Sequence, residues 1–261
     1  MENGTINIGI IQLVFAYIFV LILLAIVKKK KIGHEGEILL ASFRMTVQLV
    51  AVGFVLDYIF ANQNPFFSIL ILLIMEIFAI YNIFGRAQGK ISKSLKKIIA
   101  ISMFSGTTIS ILYFLLIIIQ IEPWYRADYF IPLSGMLIGN SMTGISLGVN
   151  HLVNGFKDNK KLIENYLMLG AEPLLAVNKI TNRAFYNAVL PTINSMMGMG
   201  IVFLPGMMTG QILAGASPIT AIKYQIAIMM GILGSVTLTV YFMVNKGIKT
   251  FFNDRKQINI D

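Results

Sequence analysis

The sequence predicts an all-α integral membrane protein with about seven transmembrane helices, and three observations predict it. Seven apolar stretches can be drawn, at 7–27, 38–60, 66–84, 98–120, 130–153, 185–212 and 219–244. At a rise of about 1.5 Å per residue each can cross a hydrocarbon core of about 30 Å. Of the 21 Lys and Arg, eighteen lie at one set of alternate ends: Lys28 to Lys31, Arg86 to Lys97, Lys157 to Arg183, and Lys246 to Lys256. The other ends carry only Arg126 and Lys223, and Arg44 falls inside a span. The positive-inside rule then puts the N-terminus outside and the C-terminus in the cytoplasm. The chain is also 56% hydrophobic and 13% charged, against about 25% charged for a soluble domain.

Composition narrows the function classes. A net charge of +9 would suggest nucleic acid in a soluble protein. Here the basic residues sit at cytoplasmic helix ends, where they set topology and meet anionic lipid, so no nucleic-acid partner is expected. The absence of cysteine excludes disulfides and cysteine-based metal sites. The first span has no basic region before it and is followed by Lys28-Lys29-Lys30-Lys31; that order fits an inserted first helix and not a cleavable signal peptide. Short loops leave no room for a soluble domain, so residues 1–261 read as one transmembrane domain with a cytoplasmic segment at about 157–183. A multi-pass location in the cell membrane, inner or plasma, follows.

Taken in order, the spans place polar groups at depth, where charge is costly and usually has a reason. The second carries Arg44 and Gln48, four apart and on one helix face. The third carries Glu76. From the cytoplasmic ends Arg44 lies about 9 Å deep and Glu76 about 13 Å, so the two could meet as a structural ion pair or line a path. The fifth span holds Gly135/Gly139 and Gly144/Gly148, small-residue pairs that let helices approach, with Asn140, Ser141 and Thr143 between them. Packing suits the glycines, and Asn140 is the path candidate.

The cytoplasmic stretch from Lys160 to Pro173 places Leu162, Tyr166 and Leu169 at helical spacing, with Gly170 as a stop and Pro173 opening another helix. It reads as a helix lying on lipid or as a docking knob for a partner. The sixth span, with Pro191, Asn194, Gly198, Gly200, Pro205, Gly206 and Gln211, reads as broken, bent or re-entrant. Broken helices are tolerated where backbone is buried or lines a cavity. Five of fifteen methionines, including Met196, Met197, Met207 and Met208, lie in this stretch. Thioethers suit soft metal ions and also fill irregular interfaces; with no histidine, cysteine or carboxylate nearby in sequence, packing is the preferred reading. His34 and His151 read as interfacial residues at span ends.

Several strings together resemble the FetB family of ABC-transporter permeases, a group that includes plant permeases linked to aluminium tolerance. They are Ser42-Phe43-Arg44-Met45-Thr46-Val47-Gln48-Leu49, Gly139-Asn140-Ser141-Met142, Glu164 with Leu169-Gly170-Ala171, Pro191-Thr192-Ile193-Asn194-Ser195-Met196, and Lys223-Tyr224-Gln225-Ile226. The most specific is Leu204-Pro205-Gly206-Met207-Met208-Thr209-Gly210-Gln211-Ile212-Leu213-Ala214-Gly215. The resemblance covers nearly the whole chain. It implies a permease subunit, a homodimer working with a separate cytoplasmic ATPase, and in bacteria a role in iron export. Glu164, Leu169, Gly170 and Ala171 resemble a coupling helix that docks in a groove of that ATPase. Leu-Pro follows the glycine much sooner in importers than Pro191 follows Gly170 here, so direction of transport stays open.

The chain carries no nucleotide motif of its own. Gly85-Arg86-Ala87-Gln88-Gly89-Lys90-Ile91 is one residue short of a phosphate loop, lacks its hydroxyl, and reads as a basic loop. ATP and Mg are therefore expected on the partner and no cofactor on this chain, which is not itself an enzyme. The candidate path comprises Arg44, Gln48, Glu76 and Asn140, together with Asn194, Met196, Met197, Met207, Met208 and Gln211 of the broken span. The alternatives are a proton-coupled secondary transporter with Glu76 as its titrating group, and a non-transporting membrane scaffold. An intramembrane enzyme lacks any paired carboxylates, histidine cluster or Ser/Lys dyad at matching depth.

Overall fold

Helix starts in this chain are written in short polar residues followed by proline or by apolar runs. Asn64 accepts a hydrogen bond from the Phe66 amide (2.9 Å) just before Pro65. Ser92 accepts from Leu95 (3.1 Å), and Ser217 from Thr220 (3.2 Å) ahead of Pro218. Each cap satisfies a backbone donor that the helix leaves unpaired, and proline at the first position sacrifices no bond. The computed structural model describes residues 8–87 and 91–259. Residues 88–90 of the basic loop at 85–91 lie outside the described residues, as does position 7 of the first span.

The described residues form helices α1 (Ile10–Lys29), α2 (Glu35–Ala61), α3 (Pro65–Arg86), α4 (Lys93–Ile119) and α5 (Ala127–Asp158). Then come α6 (Lys160–Met168), α7 (Pro173–Ala176), α8 (Asn178–Gly198) and α9 (Gly206–Leu213), with α10 (Pro218–Phe251) last. Six of these, α1 to α5 and α10, are long and apolar enough to cross a membrane. The stretch at 185–212, read as a broken span, is divided between α8 and α9.

The helices fall into two compact units. The first holds α1 and α2 with residues 213–215. Its two helices form an antiparallel hairpin in which the Tyr17 and Thr46 hydroxyls are hydrogen-bonded mid-helix. The Lys28–Lys31 run closes the turn, and His34, in the left-handed region at φ 74°, opens α2 beside Glu37.

The second unit, 64–212 with 216–261, is built around α4, α5 and α10, with α3 and α8 packed on α5. Small residues let these backbones touch. A Cβ added at Gly106 of α4 would lie 2.9 Å from the Thr239 Cα of α10. One added at Gly144 or Gly148 of α5 would lie 2.8 Å from a Val236 or Met243 carbon. With no hydrophobic force between helices in lipid, such contact and buried polar pairs hold the bundle. Ser141 of α5 and Ser235 of α10 supply one pair at 2.8 Å.

The ends of this unit sort by charge. Asn150 donates to the Arg86 carbonyl (3.4 Å), Gly155 meets Ile180, and Gly247 meets Leu95, so the basic helix ends gather together. At the other end Ser68 donates to the Tyr125 carbonyl (2.8 Å), and Arg126 lies over the Tyr129 ring. That is the grouping the positive-inside rule requires of α3, α4, α5, α8 and α10.

Candidate functional site

The break expected in this stretch lies between α8 and α9. Pro191 does not cause it: the helix runs through that position, and the Ser195 hydroxyl donates to the Pro191 carbonyl (3.0 Å). The helix ends seven residues later, at Gly198. Gly200, at φ 85°, then turns the chain, and its amide donates to the Phe203 carbonyl (3.0 Å). Val202 donates back to the Gly198 carbonyl (2.9 Å). Pro205 precedes α9, where the Thr209 amide and hydroxyl both donate to its carbonyl. Ile201 at the tip is 93% exposed.

Between this turn and α10 lies a cavity of about 380 Å³. Its walls carry five methionines: Met196 and Met199 around the end of α8, Met208 of α9, and Met229 and Met230 of α10. Gln225, buried on α10, is the polar side chain among them, with Gly200, Leu204 and Pro205 along the turn.

Of the residues singled out from sequence, Met196 and Met208 line this cavity. Met197 is 78% exposed and does not, and Met207 and Gln211 also lie off its wall. Asn140 and Asn194 are exposed on α5 and α8. Those helices run antiparallel, since Gly155 faces Ile180 and Gly148 faces Ala188, so the two asparagines sit at similar depth. Asn140 meanwhile donates to the Met136 carbonyl (2.8 Å). Arg44 and Gln48 are exposed on α2 of the first unit. Glu76 belongs to the second unit and finds its partner there: Thr107 of α4 is hydrogen-bonded to one of its oxygens. Its side chain is buried, and its second oxygen has no hydrogen-bond partner among the described residues.

Met199, Met229, Met230 and Gln225 were missed in the sequence. The signal was present for the last three: Ile222, Gln225, Ile226, Met229 and Met230 recur at helical spacing and make one face of α10.

At the basic end, α6 and α7 form a protruding knob. The amide of Ala171 donates to the Tyr166 carbonyl and that of Gly170 to the Leu167 carbonyl, both at 3.0 Å. This is a Schellman closure, with Gly170 in the left-handed conformation at φ 87°. The apolar face read from the sequence is the one turned outward. Ile163 packs inside, whereas Leu162, Tyr166 and Leu169 are exposed, Leu169 to 84%. Met168 and Leu175 extend this apolar tip. Beside it lies a groove of about 730 Å³, with Glu164 and Glu172 on one wall and Arg255 and Lys256 on the other. The latter pair belongs to a C-terminal hairpin closed by the Phe252–Ile258 bridge.

An all-helical bundle with a broken span and a glycine-closed cytoplasmic knob is the setting for the comparisons. The profile of the Uncharacterised protein family (UPF0014) matches residues 10–252. The chain belongs to this family. The UPF0014 membrane protein YjkA of Bacillus subtilis is 38% identical over 88% of this chain and 90% of its own. Protein ALUMINUM SENSITIVE 3 of Arabidopsis thaliana is 33% identical over 88% of this chain and 83% of its own. The "Probable iron export permease protein FetB" of Escherichia coli is 32% identical over 95% and 93%. No solved structure matches. The resemblance to FetB-type permeases holds, and the protein is a multi-pass member of a membrane permease family.

Proposed function

We propose that this UPF0014 member is the membrane-spanning subunit of an ABC transporter, moving a metal ion with a separate cytoplasmic ATPase that carries ATP and Mg. The observation that carries the reading is the α6–α7 knob. A helix closed by a left-handed glycine, with Leu169, Met168 and Leu175 exposed at its tip, offers an apolar anchor for a groove on a partner. Motion of that partner would reach the cavity along α8, which runs from the knob to the broken turn. The relative named as an iron export permease supports a metal cargo.

A second copy of the chain completes the path. Asn140, Thr143, Asn194 and Ser195 are exposed at membrane depth, as is the non-helical turn at Ile201 and Val202. Asn140, Thr143 and Ser195 bond carbonyls of their own helices, and Val202 that of Gly198. Lipid satisfies none of the hydrogen-bonding capacity left over, which a second protomer or a wetted cleft would meet.

The test is purification of the tagged chain from its native membrane in mild detergent. A stoichiometric ATPase should co-purify, and its stimulation should be lost in Gly170→Val, where a β-branched residue is forced to positive φ. Undiminished coupling in that variant would sink the docking assignment.

Glu76 favours a second reading, a proton-coupled carrier, because it is buried at depth with one oxygen unpartnered. That carrier would work without ATP and fail as Glu76→Gln. An ATP-driven permease should keep its transport in the same variant.

A further inference from the structure

We propose that the methionine-lined cavity is a binding site for a soft monovalent cation, of the chemical class of Cu(I). The site stands on the cavity alone, and as a statement about cargo it rests on the permease reading.

The first argument is convergence around open space. Met196 and Met199 arrive from the end of α8, Met208 from α9, and Met229 and Met230 from α10. Three segments separated in sequence thus bring thioethers to one cavity. Methionine used as a filler closes irregular gaps. Here about 380 Å³ stays open with the sulfur-bearing side chains on its wall. Met208 and Met229 are buried at its base, and Met230 is exposed at its mouth.

The second argument is the donor set. Gln225 is the polar side chain of the wall. Among the described residues no group of three or more histidines, cysteines or carboxylates could hold a metal. Hard and borderline divalent ions need oxygen or imidazole ligands, whereas thioethers select Cu(I) and its like. Charge leads to the same class. Desolvation cost rises with the square of the charge, so a divalent ion would lose about four times as much hydration energy, with no carboxylate to offset it. A singly charged, polarisable ion is the one that neutral sulfur and one amide can hold.

The third argument is framing. The turn at Gly200 is fixed by its own backbone hydrogen bonds, so Met199 is held on a bend rather than on a freely moving loop. The α10 face at Gln225 and Met229 is rigid helix. Two ordered elements therefore present methionines to one cavity.

The experiment titrates the purified full-length chain in detergent with Ag(I), a redox-inert ion of this class, by calorimetry in halide-free buffer. Wild type should bind saturably, and a large excess of Mn(II) or Mg(II) should not displace the silver. The double substitution Met208→Leu with Met229→Leu should weaken binding on the order of tenfold or more. Met197→Leu, off the cavity wall, should leave it unchanged. No saturable binding, equal binding by the double variant, or an equal loss in Met197→Leu would each overturn the site. Leucine nearly conserves volume; should the double variant still not fold, peroxide oxidation of wild type followed by peptide mass spectrometry decides. Silver should then protect Met208 and Met229 but not Met197, and equal oxidation would overturn the proposal. Because no ATPase is present, failure of the silver site and failure of coupling through Gly170 are separate results.

Discussion

Gly144 and Gly148 of α5 meet surroundings opposite to those of Gly200, Gly206 and Gly210 around the α8–α9 turn. At Gly144 and Gly148 a Cβ would come within 2.8 Å of α10 side chains, and at Gly106 of α4 it would press on the α10 backbone itself. At Gly200, Gly206 and Gly210 it would meet nothing within 4 Å. In the first group the missing side chain is used for contact between helices. In the second, Gly200 supplies a backbone conformation, φ 85°, that other residues resist. One part of the unit is closed by small residues, and the other is held open beside a cavity. In a bilayer both are needed: tight contact for cohesion, and an irregular segment wherever something must be bound.

Substitutions can break this contrast. Gly106→Ala should have the largest effect, a loss of about 3 kcal/mol, because the Thr239 Cα at 2.9 Å cannot move without shifting α10. Thermal unfolding in detergent would measure it, and a wild-type midpoint would disprove backbone contact. Gly200→Ala should cost about 1–2 kcal/mol through the left-handed conformation alone. Its effect should fall on the cavity, weakening Ag(I) binding while unfolding shifts only modestly. Gly148→Ala should cost about 1 kcal/mol, since the obstacle is the methyl end of Met243, which can swing aside. The smallest effect on stability is expected for Gly139→Ala, where nothing lies within 4 Å. That variant sharpens the comparison. Unchanged melting with a weakened dimer, read by light scattering, would place a second copy against this face of α5; unchanged dimerisation would remove it.

Much of the fold was legible because lipid imposes simple rules. Span lengths, the alternation of basic ends and the polar caps at Asn64, Ser92 and Ser217 depend on local sequence. The knob was legible too, since Gly170 followed by Pro173 is a stop and a start. The structure adds which side of its helix packs: Ile163 faces inward, while Leu162 and Leu169 are exposed. In the sixth span, the prolines and glycines from Pro191 to Gly206 marked a break without fixing its position. The observed break lies at Gly198 to Pro205, and the helix runs on through Pro191.

The candidate site divides in the same way. Met196 and Met208 were found by density along the chain. Met199 was overlooked in that dense stretch, and Met229, Met230 and Gln225 lie on a different helix. Thr107 was likewise out of reach of the sequence: it lies on the next helix and is hydrogen-bonded to Glu76 within the second unit.

The sequence by itself determined that this chain crosses a membrane, which ends of its helices are basic, where the knob at its basic end turns, and to which family it belongs. These follow from hydropathy, charge and local backbone preference, which act over a few residues. Only the tertiary structure decided which glycines touch α10, which methionines share a cavity, and which face of the knob is exposed. Those facts depend on the rotation of each helix about its axis, which is set by close packing against its neighbours.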